Sequence, residues 1–268
     1  MKTKKILKAA IGLMTLVSMT ACSTENSKDT QDKIVDKGTL VVAVSPDYAP
    51  FEFQTLKDGK NTIVGADITL AQDIAKELKV KLKLSPMSFN NVLSSLQSGK
   101  ADIAISGISY TKERAKVYDF SKSYYDTENA IVVKKDKLTS LTSMASLAGK
   151  KVGAQKSSIQ ENLAKTQLKN SHIVSLTDMG EVVNELKNGQ LDAITMDGPV
   201  ATGYVAQNKD LAIVDYTFKT NNADAKVVAM PKGSPKLQKT INKVVEKVKG
   251  ETFKGYIEEA AQYTESQK

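Results

Sequence analysis

The chain has 268 residues, 41% of them hydrophobic, with 38 Lys and Arg against 30 Asp and Glu, for a formal charge of +8. That hydrophobic share supports a globular protein, and the length suits two cores better than one. One cysteine and one histidine exclude a disulfide framework, a thiolate metal site and a histidine metal cluster, so no metal or other cofactor is expected.

The first segment reads as a targeting signal. Lys2, Lys4, Lys5 and Lys8 make a basic start and Ile11 to Val17 an apolar run. That run is too short for a bilayer span, which needs roughly 20 residues. Met19, Thr20 and Ala21 then precede Cys22, the layout of a lipoprotein cleavage box. A lipid (diacylglycerol, then palmitate) on Cys22 would anchor the chain outside the cytoplasmic membrane; the plainer alternative is an ordinary cleaved signal beside an incidental cysteine. Loss of residues 1–21 leaves about 247 residues and a charge of roughly +4. The lysines are scattered and not interleaved with aromatics, which argues against a nucleic-acid partner. Residues 22–35 are polar and read as a flexible tether.

Leu40 to Val44 is a buried-strand signal ending before Pro46. Ile68, Ala71, Ala75 and Leu78 recur at helical spacing, with Asp67 as the expected N-cap. Val80, Leu82 and Leu84 alternate as a strand does. Val92, Leu93 and Leu96 predict a short helix stopped by Gly99, and Ile103 to Ile105 the next strand. The order β-α-β-α-β predicts a parallel sheet with crossover helices. It then recurs: strand Lys151 to Ala154, helix Ile159 to Leu168, strand Ile173 to Leu176, helix through Val182, Val183 and Leu186, and strand Ala193 to Thr195. At an offset of roughly 90 residues, Val92, Leu96, Gly99 and Asp102 fall on Val182, Leu186, Gly189 and Asp192. The lone His172, near a strand start, reads as a surface or packing residue.

Four clusters follow these strands, where ligands of parallel α/β sheets sit. Ser45 to Glu52 presents Asp47, Tyr48 and Glu52 between two prolines. Ser106, Gly107 and Ser109 let backbone amides approach a ligand, and Arg114 offers a planar fork that suits a carboxylate. Gln155 to Ser158 leads into a helix whose first amides suit an anion. Asp197 can receive an ammonium. Each also has a bland reading as turn, cap or solvated surface. Together they meet the needs of a free amino acid's zwitterion.

Tyr48-Ala49-Pro50-Phe51-Glu52-Phe53, Gly65-Ala66-Asp67-Ile68, Ser106-Gly107-Ile108-Ser109 with Thr111 and Glu113-Arg114, Asp119-Phe120-Ser121 with Tyr124-Tyr125, and Asp192-Ala193 with Asp197 carry a resemblance over residues 36–265. The chain resembles the amino-acid-binding proteins of ABC importers, family 3 of the bacterial solute-binding proteins. The resemblance implies an α/β fold of the two-lobed periplasmic-binding-protein type (type II), each lobe a mostly parallel sheet flanked by helices, joined by two hinge strands. Lobe 1 would hold residues 36–128 and 219–265, and lobe 2 residues 129–218. Arg114 would take the ligand's α-carboxylate with the backbone at Ser109 and Ser158. Asp197, Ser109 and a carbonyl at Ser106 or Gly107 would take its ammonium. Tyr48 and Phe89 would sandwich its side chain, and Asp47, Glu52 or Asp126 would face a guanidinium. Where glutamine-binding relatives often carry a lysine, this chain has Ala154, which favours arginine, then lysine or histidine, over glutamine or another polar amino acid. The implied protein is a monomeric receptor without catalysis that docks on a permease and its cytoplasmic ATPase. The rival reading is a same-fold enzyme such as a dehydratase, which needs a poised acid or base in the cleft.

Overall fold

The computed structural model describes residues 28–57, 59–220 and 224–265. Cys22, the targeting segment and the start of the expected tether lie outside the described residues. In chain order come α1 (Thr30–Lys37), β1 (Thr39–Val44), β2 (Asp47–Tyr48), β3 (Glu52–Lys57), β4 (Lys60–Val64), α2 (Ala66–Glu77), β5 (Lys81–Pro86), α3 (Phe89–Gln97), β6 (Ile103–Ala104), α4 (Lys112–Ala115), β7 (Tyr118–Phe120) and β8 (Tyr125–Thr127). There follow β9 (Asn129–Lys134), β10 (Lys151–Gln155), α5 (Ile159–Gln167), β11 (His172–Leu176), α6 (Met179–Lys187), β12 (Ala193–Asp197), α7 (Gly198–Gln207), β13 (Leu211–Ile213), β14 (Asp224–Lys226), β15 (Ala229–Pro231), α8 (Pro235–Val248) and α9 (Glu251–Glu265).

Two five-stranded sheets organise the chain, in the orders β5-β1-β6-β15-β7 and β11-β10-β12-β9-β13. In each, the first three strands are parallel and the fourth runs against both its neighbours. The internal repeat is therefore one of topology as well as sequence: α3 and α6 occupy equivalent places, as do β6 and β12. Both faces of the first sheet are buried. Leu40, Val42 and Val44 of β1 pack with α2 and α8, while Ala43 faces Val92 and Leu96 of α3. Strands covered on both faces read as continuous apolar runs, which is why β1 shows no polar alternation. In the second sheet Val152, Ile131 and Val133 face Ala164, and Ile194 and Met196 face Val182 and Leu186. The open edge strand β5 carries exposed Lys81 and Lys83, charges that discourage pairing with another edge.

Between the sheets the chain crosses twice, through β8 and β14, which pair antiparallel with Lys226 opposite Tyr125. All strands of the second sheet lie between these crossings.

Two expectations are corrected. The tether was expected to run to residue 35, but the chain is helical from Thr30, with Asp29 capping the Gln31 amide and Ile34 fully buried. Thr30 Oγ1 meets Ser234 Oγ at 2.7 Å and Lys236 N donates to Asp29 at 3.1 Å, so α1 is docked on the start of α8. Polar composition hid this, because a single buried residue anchors the helix. Asp67 does not cap α2. The N-cap is Gly65, and Pro50 O and Phe51 O accept from the amides of Ala66 and Asp67. Gly65 has φ +133°, and a Cβ there would lie 2.1 Å from Phe51 O, so no other residue fits.

Candidate functional site

The loops after β1, β6, β10 and β12 meet between the two sheets, as the switch-point rule for α/β sheets leads one to expect. Each sequence-selected residue except Phe89 and Asp126 is in a hydrogen-bond network there.

Arg114, at the first sheet's side, is half-buried. Its Nη1 donates to Ser109 O at 2.6 Å and its Nη2 to Ser157 O at 2.9 Å, so one guanidinium touches both units. Thr111 holds α4 in place by accepting from Arg114 N at 3.1 Å. Burial lowers the Arg114 pKa from its ordinary value, opposed by the charge of Asp224. A forked cation beside the Ser109 loop can bind a carboxylate bidentately.

Asp197 ends β12 and is buried. Its Oδ2 accepts from Tyr48 Oη at 2.8 Å and pairs with Lys226 Nζ at 2.7 Å, while Oδ1 accepts from Gln160 Nε2 at 3.1 Å. Asp197 N donates back to Tyr48 Oη at 3.0 Å. Tyr48 thus reaches from the first unit to the second by its hydroxyl. Its ring stacks on Phe51 (6.2 Å, 24°) and lies against Gly107, where a Cβ would come within 3.3 Å of it. Gly107, at φ +51°, is required by both the turn and that close approach.

Asp47 makes the third link between units. Oδ2 accepts from Gln155 Nε2 and from Met179 N, each at 2.8 Å, and Oδ1 accepts from Ser45 Oγ at 2.7 Å. It therefore sits on the first amide of α6, where the helix dipole favours a carboxylate. Burial pushes its pKa up to about 6 against the lowering effect of the Met179 and Ser45 hydrogen bonds.

Several assignments are changed by the geometry. Glu52 was expected as an available carboxylate, but it is fully buried behind the site and accepts from Ser106 Oγ at 2.8 Å. Burial, and after it the neighbouring Asp67 charge, pushes its pKa well above the ordinary carboxylate value, which favours the neutral acid. Its Oε2 and Asp67 Oδ1 are buried with no hydrogen-bond partner among the described residues. Asp67 Oδ2 accepts from Gly107 N at 2.7 Å and Tyr124 Oη at 3.0 Å. Ser106 Oγ also accepts from Ser45 N at 2.9 Å. Glu52, Asp67 and Ser106 therefore hold the loop that carries Gly107 and Ser109.

Ser158 caps α5 by accepting from Glu161 N at 3.0 Å, its own amide donates to Gln155 O at 3.2 Å, and Ser157 N donates to Glu161 Oε2 at 2.7 Å. The expected anion nest thus has its two serine amides satisfied within the chain. Asp126 is exposed and faces Ser123 and Lys249. Phe89, half-buried at the start of α3, packs with Ala43, Val92 and Leu96, whereas Tyr48 belongs to the other cluster; the structure does not bring these rings into contact.

Sequence reasoning missed Lys226 and Asp224. Lys226 is 1% exposed, and its Nζ reaches Asp197 Oδ2 at 2.7 Å, Asp224 Oδ2 at 2.8 Å and Ser109 Oγ at 3.0 Å. Ser109 Oγ in turn donates to Asp224 Oδ2 at 3.0 Å. Burial works against the Lys226 charge, but Asp197 and Asp224 outweigh it and raise the pKa. The available signal was the spacing: residues two apart in a strand share a face.

Residues 40–259 match the family described as bacterial extracellular solute-binding proteins, family 3. A crystal structure of an amino acid ABC transporter substrate-binding protein from Streptococcus pneumoniae, bound to L-arginine, superposes with a TM-score of 0.86 at 48% identity, covering 88% of this chain and 98% of that one. An arginine-binding extracellular protein of Bacillus subtilis is 36% identical over 78% of each chain. A probable histidine-binding protein of Campylobacter jejuni is 32% identical over 93% of this chain and 95% of its own.

Proposed function

The chain belongs to family 3 of the bacterial extracellular solute-binding proteins, receptors and not enzymes, and on that premise we propose that it captures a free L-amino acid, arginine foremost, for an ABC importer. Residues 36–128 with 219–265 would form one lobe and 129–218 the other, and β8 and β14 the hinge. Hinge closure of two lobes on a shared ligand is a population shift toward the form that touches it from both sides. A lipid on Cys22 would tether the receptor at the membrane surface beside a permease and its cytoplasmic ATPase.

The observation that carries the reading is the pairing of Arg114 with Asp197. A cationic fork from one unit and a buried carboxylate from the other face the Ser109 loop, one for each end of a zwitterion. Ser109 serves both ends. Tyr48 and Phe89 are assigned to the ligand's side chain, with Tyr48 also fixing Asp197. Asp47 is committed to α6 and Asp126 lies on Lys249, so the preference for arginine rests on two other facts. Two of the relatives named above carry arginine or bind it, and position 154 is a fully buried alanine where a lysine would repel a guanidinium. The Campylobacter relative makes histidine the second choice.

A thermal-shift screen of the twenty amino acids tests this. At a hundredfold excess over Kd the ligand adds about 2.7 kcal/mol, which raises Tm by roughly 5–11 °C for a chain of this size. Arginine is expected to give the largest shift, and Arg114→Ala to abolish it. A shift from no amino acid would end the receptor reading, and a shift from glutamine alone would end the arginine preference.

A further inference from the structure

Lys226 presents a primary ammonium inside the site, and all three of its N–H groups are spoken for. One goes to Ser109 Oγ in the loop after β6, one to Asp197 Oδ2 at the end of β12, and one to Asp224 Oδ2 on its own strand. An amino acid's α-ammonium has the same three-donor chemistry. The proposed function gives it the first two of these acceptors. Asp197 Oδ2 already takes Tyr48 Oη and Lys226 Nζ, which fills its two lone pairs. A second ammonium can enter on Oδ2 only if one donor leaves, while Oδ1 accepts from Gln160 Nε2. Tyr48 is fixed from both sides, because its hydroxyl also accepts from Asp197 N. The donor free to leave is the lysine.

We propose that Lys226 is an internal counter-ligand: its ammonium competes with the α-ammonium of the bound amino acid for Ser109 and Asp197, and withdraws onto Asp224 when the ligand enters. Asp224 is built to receive it. Its Oδ1 is buried and has no hydrogen-bond partner among the described residues, so a lysine that gives up Asp197 can take up this oxygen. Because two carboxylates hold the lysine charged, it leaves by movement and not by loss of its proton. Lys226 sits on hinge strand β14, opposite Tyr125 of β8, so its withdrawal acts at the pivot between the two sheets. The inference rests on the amino-acid reading of the site. It adds that the receptor's affinity is held below what its acceptors alone would give, since apparent affinity falls with the fraction of protein whose acceptors are free.

The test is isothermal calorimetry with arginine on the wild-type chain and on Lys226→Met/Asp224→Asn, which removes the Lys226–Asp224 pair together and leaves Asp197 as the one carboxylate of the three-charge cluster, free for the ligand's ammonium. The double variant is expected to bind arginine about tenfold more tightly or better. Equal or weaker binding overturns the proposal, and weaker binding would make Lys226 a ligand-holding residue instead. If the wild-type chain binds no amino acid, the receptor reading itself has failed and the competition falls with it. A second measurement needs no variant: a crystal structure of the wild-type chain with arginine. Lys226 Nζ is expected within hydrogen-bond distance of Asp224 and beyond about 4 Å from Asp197. Retention of the Lys226–Asp197 pair beside the ligand's ammonium would refute the competition.

Discussion

Replacing Asp47 by asparagine should make the protein more pH-tolerant, in a direction fixed by the Asp47 environment. The carboxyl titrates near 6 where it docks on α6, against an ordinary value of 3.8. A raised carboxyl pKa means that the folded, docked form binds the extra proton between those two values. Its stability contribution is therefore complete below about pH 4 and is lost as pH rises through about 6. Two units correspond to roughly 3 kcal/mol in full, and about 2 kcal/mol of that falls between about pH 4.5 and pH 8. Asparagine has no such proton. Its Oδ1 can still accept from Met179 N and Gln155 Nε2, and its Nδ2 can donate to Ser45 Oγ, so the local hydrogen bonds survive. Urea unfolding of both proteins across that range isolates the effect, since every other titrating group cancels in the difference. Relative to wild type, Asp47→Asn should gain about 2 kcal/mol on going from about pH 4.5 to pH 8. A pH-independent difference, or a relative loss at high pH, would refute both the burial and the docking.

Three further outcomes follow from the supports of the site. Glu52→Gln should change stability by less than about 1 kcal/mol at neutral pH, because burial favours the neutral acid and a glutamine offers Ser106 the same acceptor, whereas Glu52→Ala should cost about 2–3 kcal/mol by urea unfolding. A large loss in the glutamine variant would mean Glu52 is ionised. Gly65→Ala should cost more than about 3 kcal/mol or prevent folding, as judged by circular dichroism and soluble yield, since its Cβ collides with Phe51 O at 2.1 Å. Tyr48→Phe should cost about 2–3 kcal/mol of unfolding free energy by stranding Asp197 N and one lone pair of Oδ2; an unchanged midpoint would show that the hydroxyl does not bridge the units.

What could be read from sequence divides by range. Apolar periodicity located the six strands and four helices of the two repeated βαβαβ units, because each is specified within a dozen residues. The parallel core strands β1 and β6 fell out of their short apolar runs. What failed was long-range. Asp67 looks like a cap because it opens an apolar period, yet the cap is supplied by the carbonyls of Pro50 and Phe51 from the turn between β2 and β3. Glu52 looks available because it is charged, and only the fold shows Asp67 and Ser106 beside it. The expected helix-start nest at Ser158 is satisfied by Gln155 and Glu161, both local, so the cap reading was there to be preferred. Asp224 and Lys226 had no motif to draw attention to them.

The same distinction bears on the hinge closure proposed above. The local supports, Ser106 on Glu52 and Ser158 on Glu161, join residues within one unit and do not depend on the other. The polar contacts between units are Asp47 to Gln155 and α6, Tyr204 to Asp47 O, Tyr48 to Asp197, Arg114 to Ser157 O and Lys226 to Asp197, and a buried apolar cluster that includes Tyr48 and Phe51 with Met179 and Val200 runs through both units. Polar contacts exchange readily for water, each with a net worth of about 1 kcal/mol, and under the proposed reading the ligand's two charged ends replace several of them. A ligand carrying both a carboxylate and an ammonium can therefore tip the balance with a handful of hydrogen bonds. The donors and acceptors it needs are the ones that already face each other across the gap.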